Sequence, residues 1–211
     1  MGSKNDLTPT FFCVPDITGF TRFVATADIN FAREVIPALL RKLIDANILG
    51  MSVAEIEGDA IFFYKTGRLP SIARVAKQCE LFFNIFFDFL ESLKESPSEN
   101  HSDELTEHLG LKVIIHHGLV GTANIKGRTK LIGEDVIIAH KLLKNSVAED
   151  NYILLTEKYL NKIKGVERVT KHFNNKSLLE GKEEYEYIGV IPFSYIPLER
   201  KTQLAQVLLK P

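Results

Sequence analysis

From Phe11 to Tyr64 the chain spells out a strand, a helix and a hairpin, in that order, and this restricts it to folds in which a hairpin can lie beside the first strand. Phe11 to Val14 is an apolar run ending at Pro15-Asp16, and Gly19-Phe20-Thr21 then supplies a turn and opens a helical stretch. Phe31, Val35, Ile36, Leu39, Leu40, Leu43 and Ile44 recur at helical spacing, which predicts an amphipathic helix from Asn30 to Ala46 that Pro37 kinks or restarts. Met51 to Glu55 and Ala60 to Tyr64 are strand-like runs around Gly58-Asp59, the signature of a tight hairpin.

Beyond the hairpin the pattern repeats in kind. Ser71 to Leu93 reads as a long helix whose Phe82, Phe83, Phe86, Phe87 and Phe89 make it apolar nearly all round, which predicts deep burial or a subunit interface. Strands are expected at Leu111 to His116, Arg128 to Ile132 and Tyr152 to Thr156, with helices at Glu134 to Leu143 and Glu157 to Ile163. A closing hairpin is expected from Lys171 to Leu179 with Tyr185 to Ile191, where Tyr185 and Tyr187 share one strand face. The periodicity implies an α+β fold: a mostly antiparallel sheet in a split βαβ pattern with helices on one face.

The 211 residues, 45% hydrophobic, suffice for one core. The expected division is one domain over 9–193, a disordered or expression-derived start at 1–8 and a C-terminal extension at 194–211. Ser96 to Glu104 reads as a mobile loop. A formal net charge of −1 with mixed signs argues against nucleic-acid or membrane partners held by bulk electrostatics. No apolar stretch is long enough to cross a bilayer and the polar start lacks a secretory core. Cys13 and Cys79 lie in apolar surroundings, which predicts reduced core thiols and a cytoplasmic setting.

Asp16 and Asp59 are the residues most suggestive of chemistry. If the hairpin pairs beside the first strand, the two carboxylates meet, and together they suit a divalent cation. The ordinary alternative is that Asp16 caps a turn and Asp59 serves the hairpin turn. His116 and His117 are adjacent in a strand and so point to opposite faces, which disfavours one shared metal; one is expected to be buried or at an interface, the other solvated. No P-loop is present, and no serine or cysteine has an acid-base neighbour pattern.

Asp16-Ile17-Thr18-Gly19-Phe20-Thr21 resembles the first metal motif of the class III nucleotidyl cyclases, the adenylyl and guanylyl cyclase family. Glu55-Ile56-Glu57-Gly58-Asp59 before Ala60-Ile61-Phe62-Phe63 is similar to the second. Ile114 to Val120 and Leu131 to Leu142 resemble that family's later strand-turn and strand-turn-helix segments.

The resemblance implies a ferredoxin-like core, a homodimer with the site between subunits, and a nucleoside triphosphate substrate closed to a 3′,5′-cyclic product. It implies two divalent cations, Mg²⁺ or Mn²⁺, held by Asp16, Asp59 and the carbonyl of Ile17, with N–H groups near Gly19, Phe20 and Thr21 cradling phosphate. Glu55 and Lys130 stand at its base-reading positions, and a carboxylate with an ammonium fits guanine or, in outline, uracil; the ordinary alternative is that the two form an ion pair or simply face solvent. At two further positions the chain departs from that pattern. Ile137 replaces a ribose-binding asparagine, and Lys141 replaces an arginine that stabilises phosphate charge, a point charge in place of a bidentate fork. Lys176 and Lys182 are the candidates for a late phosphate-binding lysine. A non-catalytic domain that keeps the fold and dimer is the implied alternative.

Overall fold

The computed structural model describes residues 7–94, 108–163, 166–173 and 177–199. Strand β1 (Thr8–Thr18) leads into α1 (Phe20–Thr26) and α2 (Ile29–Asp45), followed by the hairpin β2 (Ser52–Glu57) and β3 (Ala60–Thr66) and the long α3 (Ile72–Lys94). Strands β4 (Gly110–Ile125) and β5 (Arg128–Ile132), helix α4 (Glu134–Lys141), strand β6 (Tyr152–Thr156), helices α5 (Glu157–Ile163) and α6 (Val166–His172), and strands β7 (Leu179–Tyr185) and β8 (Gly189–Pro197) complete the order.

The sheet runs β2-β3-β1-β4-β6-β8-β7, with β5 paired to β4. Every pairing is antiparallel except β4 with β6. Strand β1 is central, paired to β4 from Thr8↔Val120 to Thr18↔Gly110, and its near-continuous apolar run follows from burial on both faces.

Odd-numbered residues of β1 and β4, such as Phe11, Cys13, Leu111 and Val113, join α1, α2, α3, α5 and α6 in the larger core. Even-numbered ones, such as Phe12, Val14 and Ile114, join Ile138, Ala139 and Leu142 of the short α4 in a second core. The sheet is thus covered mainly on one face, and α4 lies on the other. The aromatic excess of α3 goes into the larger core, where Phe82, Phe83, Phe86 and Phe89 are buried. Cys13 and Cys79 are buried free thiols. No helix among the described residues is long and apolar enough to cross a membrane.

Several local expectations need correction. Helix α2 runs unbroken across Pro37 instead of restarting there. The expected strand from Lys171 to Leu179 is wrong: α6 continues through His172, and β7 begins only at Leu179. The closing hairpin is β7 with β8, so Tyr185 ends one strand while Tyr187 sits in the turn at φ 68° and is 96% exposed. His116 and His117 do take opposite faces, but both are buried, because β4 has neighbours on both sides and helices over both faces. Strand β8 continues through Ser194 to Pro197 against β6, past the boundary expected at residue 193. Ser96 to Glu104 and Lys176 lie outside the described residues.

Candidate functional site

Two side-chain clusters share the β2–β3 hairpin. Strand β3 pairs with β1 from Thr10↔Thr66 to Cys13↔Phe63, and continuing that register brings the Gly58-Asp59 turn alongside the end of β1. Gly58 takes φ 62°, a backbone state open to glycine at no steric cost, and so makes the two-residue turn possible. Gly19, at φ 80°, is held by space as well: a Cβ there would lie 2.3 Å from the carbonyl oxygen of His108.

At this point the carboxyl groups of Asp59 and Asp16 come close enough to act on one another electrostatically. Burial, then the neighbouring Asp16, push the Asp59 carboxyl up from 3.8 to about 7, against the opposing pull of a backbone N–H and of Lys112. Lys112 lies directly across from Asp16 on β4, and its Nζ sits 2.9 Å from Asp16 Oδ2 while donating to the carbonyl of Leu143. Asp16 is 7% exposed, and the neighbouring Ile17 is buried. Phe20 opens α1 beside Gly58, Thr21 is exposed, and no side chain caps the helix start.

The second cluster depends on a bulge. The β2–β3 register shifts between Val53 and Glu55, so that Glu55 faces Phe62 instead of Ile61. A one-residue offset in a strand moves a side chain to the other face. Glu55 is thereby delivered to the α4 face, where its Oε2 lies 3.3 Å from Lys130 Nζ and its Oε1 lies 3.0 Å from His140 Nε2. His140 Nδ1 meets Glu57 Oε2 at 3.0 Å, and the imidazole stacks on the Phe62 ring with centroids 3.8 Å apart. These groups line a shallow cleft whose apolar walls include Phe12, Leu131 and Val136.

The remaining expected site residues stand apart from both clusters. Ile137 is 51% exposed on α4. Lys141 directs its ammonium over the ring of Tyr185, 5.9 Å from the centroid, and Lys182 is exposed on β7.

Sequence reasoning overlooked Lys112 and His140. An alternation argument had the means to find Lys112, since it and Asp16 are partners in adjacent strands. Nothing local marks His140. A third feature, also overlooked, anchors α4 to the sheet. Asp135 accepts from His116 Nε2 at 3.1 Å, Lys158 Nζ at 2.7 Å and the Leu119 N–H at 2.7 Å, while His116 Nδ1 meets Thr156 Oγ1 at 2.9 Å. Burial alone raises the Asp135 carboxyl, yet these hydrogen bonds outweigh it and hold the group well below its ordinary range. His117, on the opposite face, is held below its usual value first by burial and then by Lys162.

The pattern of the family described as "Protein of unknown function (DUF2652)" matches residues 36–152, more than half of the chain. The chain belongs to this family. A curated relative, "Uncharacterized protein Rv2561/Rv2562" of Mycobacterium tuberculosis, is 32% identical over 119 residues, which is 56% of each protein. The chain thus spans about half the length of the curated relative it matches.

Among solved structures, this member of the family is similar to the catalytic core of a rhodopsin-guanylyl cyclase with converted specificity in complex with ATPalphaS. The TM-score is 0.57 at 15% identity, over 90% of this chain and 96% of that one. The guanylyl cyclase Cya2 gives TM-score 0.56 at 12% identity over 95% and 98% of the two chains. The adenylyl cyclase CyaB from P. aeruginosa gives 0.53 at 12% over 95% and 100%. The fold is that of a class III cyclase catalytic domain.

Proposed function

We propose that this domain is a divergent class III-like nucleotidyl cyclase that acts on a nucleoside triphosphate, with GTP favoured, as a homodimer. The observation that carries the reading is the approach of Asp16 to Asp59, a buried and a half-buried acidic group brought together beside an ammonium. Like charges at contact disfavour joint ionisation, so such a pair is built for a shared proton or a cation. The donors are all oxygen, which suits Mg²⁺ or Mn²⁺, and Asp16, Asp59 and the carbonyl of Ile17 are the groups that would hold the ions. Bound divalent ions supply two things: a lowered pKa for the attacking 3′-hydroxyl and neutralisation of the leaving pyrophosphate.

The chain's own residues supply the rest. Lys112 offers positive charge beside the carboxylates for a triphosphate, and the uncapped N–H groups after Gly19 add donors. Glu55 would accept from guanine N1–H and N2–H while Lys130 donates to O6. Lys141 is the cation on α4 that would approach the phosphates. Ile132 and Ile137, about half exposed at the β5–α4 junction, suit a surface covered by a second copy.

A second reading is a domain that dimerises and binds metal-nucleotide without turnover. It is favoured by Ile137, which has no hydrogen-bonding group, and by Lys141, which is engaged with Tyr185. Loss of one well-aimed donor commonly lowers rate by about 10²- to 10³-fold. Incubation of purified protein with Mn²⁺ and each of the four triphosphates decides between them. Cyclic product that vanishes in Asp16→Ala supports the enzyme, and a nucleotide-dependent thermal shift without product supports the binding domain. Neither signal refutes both.

A further inference from the structure

The cleft at Glu55 is already filled by a group that behaves like the base it would read. The His140 imidazole is a flat heteroaromatic ring lying on Phe62 at 3.8 Å and 21°, the separation of a stacked pair. Its edge meets Glu55 Oε1 through Nε2 at 3.0 Å, the kind of N–H to carboxylate contact that guanine would make. Lys130 engages the other oxygen of Glu55, so both carboxylate oxygens are in use. A second anchor, Nδ1 to Glu57 at 3.0 Å, fixes the ring's orientation from the opposite edge. With the ring in place the recess beside it has room for no more than about one water molecule.

A purine therefore cannot reach the Phe62 face and the Glu55 carboxylate while His140 holds them. We propose that His140 is a built-in occupant of the base cleft, a gate that a nucleobase must displace, and that it thereby sets nucleotide affinity and base preference. The inference rests on the nucleotide-binding reading of the site. Its physical content is a competition: the apparent affinity of a ligand falls by the fraction of molecules in which the competent state is populated. The anchors differ in exposure, with the Glu57 side chain 67% exposed and that of Glu55 34% exposed. Release of the outer anchor alone is therefore a mild opening, and removal of the ring a complete one.

The test measures binding of a fluorescent 2′/3′-N-methylanthraniloyl GTP, and of its ATP counterpart, to the full chain with Mn²⁺. His140→Ala is expected to bind the GTP probe about tenfold more tightly than wild type, equivalent to about 1.4 kcal/mol. Glu57→Gln, an exposed change that leaves the core untouched, is expected to tighten it about two- to threefold. In wild type, the His140 ring protons are expected to carry the ring-current shift of Phe62 and to lose it as GTP is added. Equal or weaker binding by both variants, with wild type still binding, overturns the gate and leaves the nucleotide reading standing. Failure of wild type and both variants to bind either probe overturns the nucleotide reading, and the gate with it.

Discussion

Replacing Asp59 by asparagine tests the meeting of the two carboxyl groups without any ligand. In the folded protein the Asp59 carboxyl is raised from 3.8 to about 7, so between those values the folded state holds a proton that the unfolded chain releases. Wild-type stability therefore falls as pH rises from about 4 to 7 and levels off above. At about 1.36 kcal/mol for each unit between 3.8 and 7, the full loss would be about 4 kcal/mol. Asp59 is only half-buried, and solvent screening reduces this to about 1–2 kcal/mol.

Asparagine keeps a hydrogen-bonding group of similar shape but has no proton to lose. Asp59→Asn should thus match wild type near pH 4.5 and exceed it by about 1–2 kcal/mol at pH 8, or about 3–6 °C in Tm for a chain of this size. Urea melts across that range, with EDTA present, measure the difference. Adding Mn²⁺ at pH 8 should narrow it, because a cation relieves the repulsion in wild type and has less to bind in the variant. A difference that does not change with pH, or a variant that is less stable at pH 8, would mean that the two acids do not meet.

The Asp135 network makes the opposite prediction. Its folded carboxyl is depressed, so its stabilisation is complete above the ordinary value of 3.8 and is lost progressively as pH falls from there through the depressed folded value. Asp135→Ala should cost about 3–5 kcal/mol at pH 7 by leaving Lys158 and His116 without their acceptor, and about 1 kcal/mol less at pH 3. Gly118→Ala should cost about 2–4 kcal/mol in urea melts, because its Cβ would lie 1.9 Å from Asp135 Cγ, far inside contact distance. Glu55→Lys should invert the ratio of GTP to ATP probe affinity, since it places a donor where guanine also donates; an unchanged ratio would remove Glu55 from base reading.

Much of the fold could be read directly from the chain because its signals are local. The Arg128–Ile132 strand, the Tyr152–Thr156 strand and the Glu157–Ile163 helix have the expected bounds. The end of the chain was harder to read. Between Val166 and Tyr187, charged residues dilute the periodicity, and the tertiary sheet, not local pattern, decides where β7 begins.

Sequence alone determined the strand-helix-hairpin order, the two turns that carry Asp16 and Asp59, and the expectation that pairing would bring them together, because glycine turns and apolar periodicity act over a few residues. Only the tertiary structure decided what surrounds those groups. The bulge at Ala54 selects the face on which Glu55 emerges, cross-strand register sets Lys112 against Asp16, and the packing of α4 lays His140 on Phe62. Each of these joins residues far apart in the chain, and the free energy that holds them comes from burial of the whole sheet, which no short window of sequence contains.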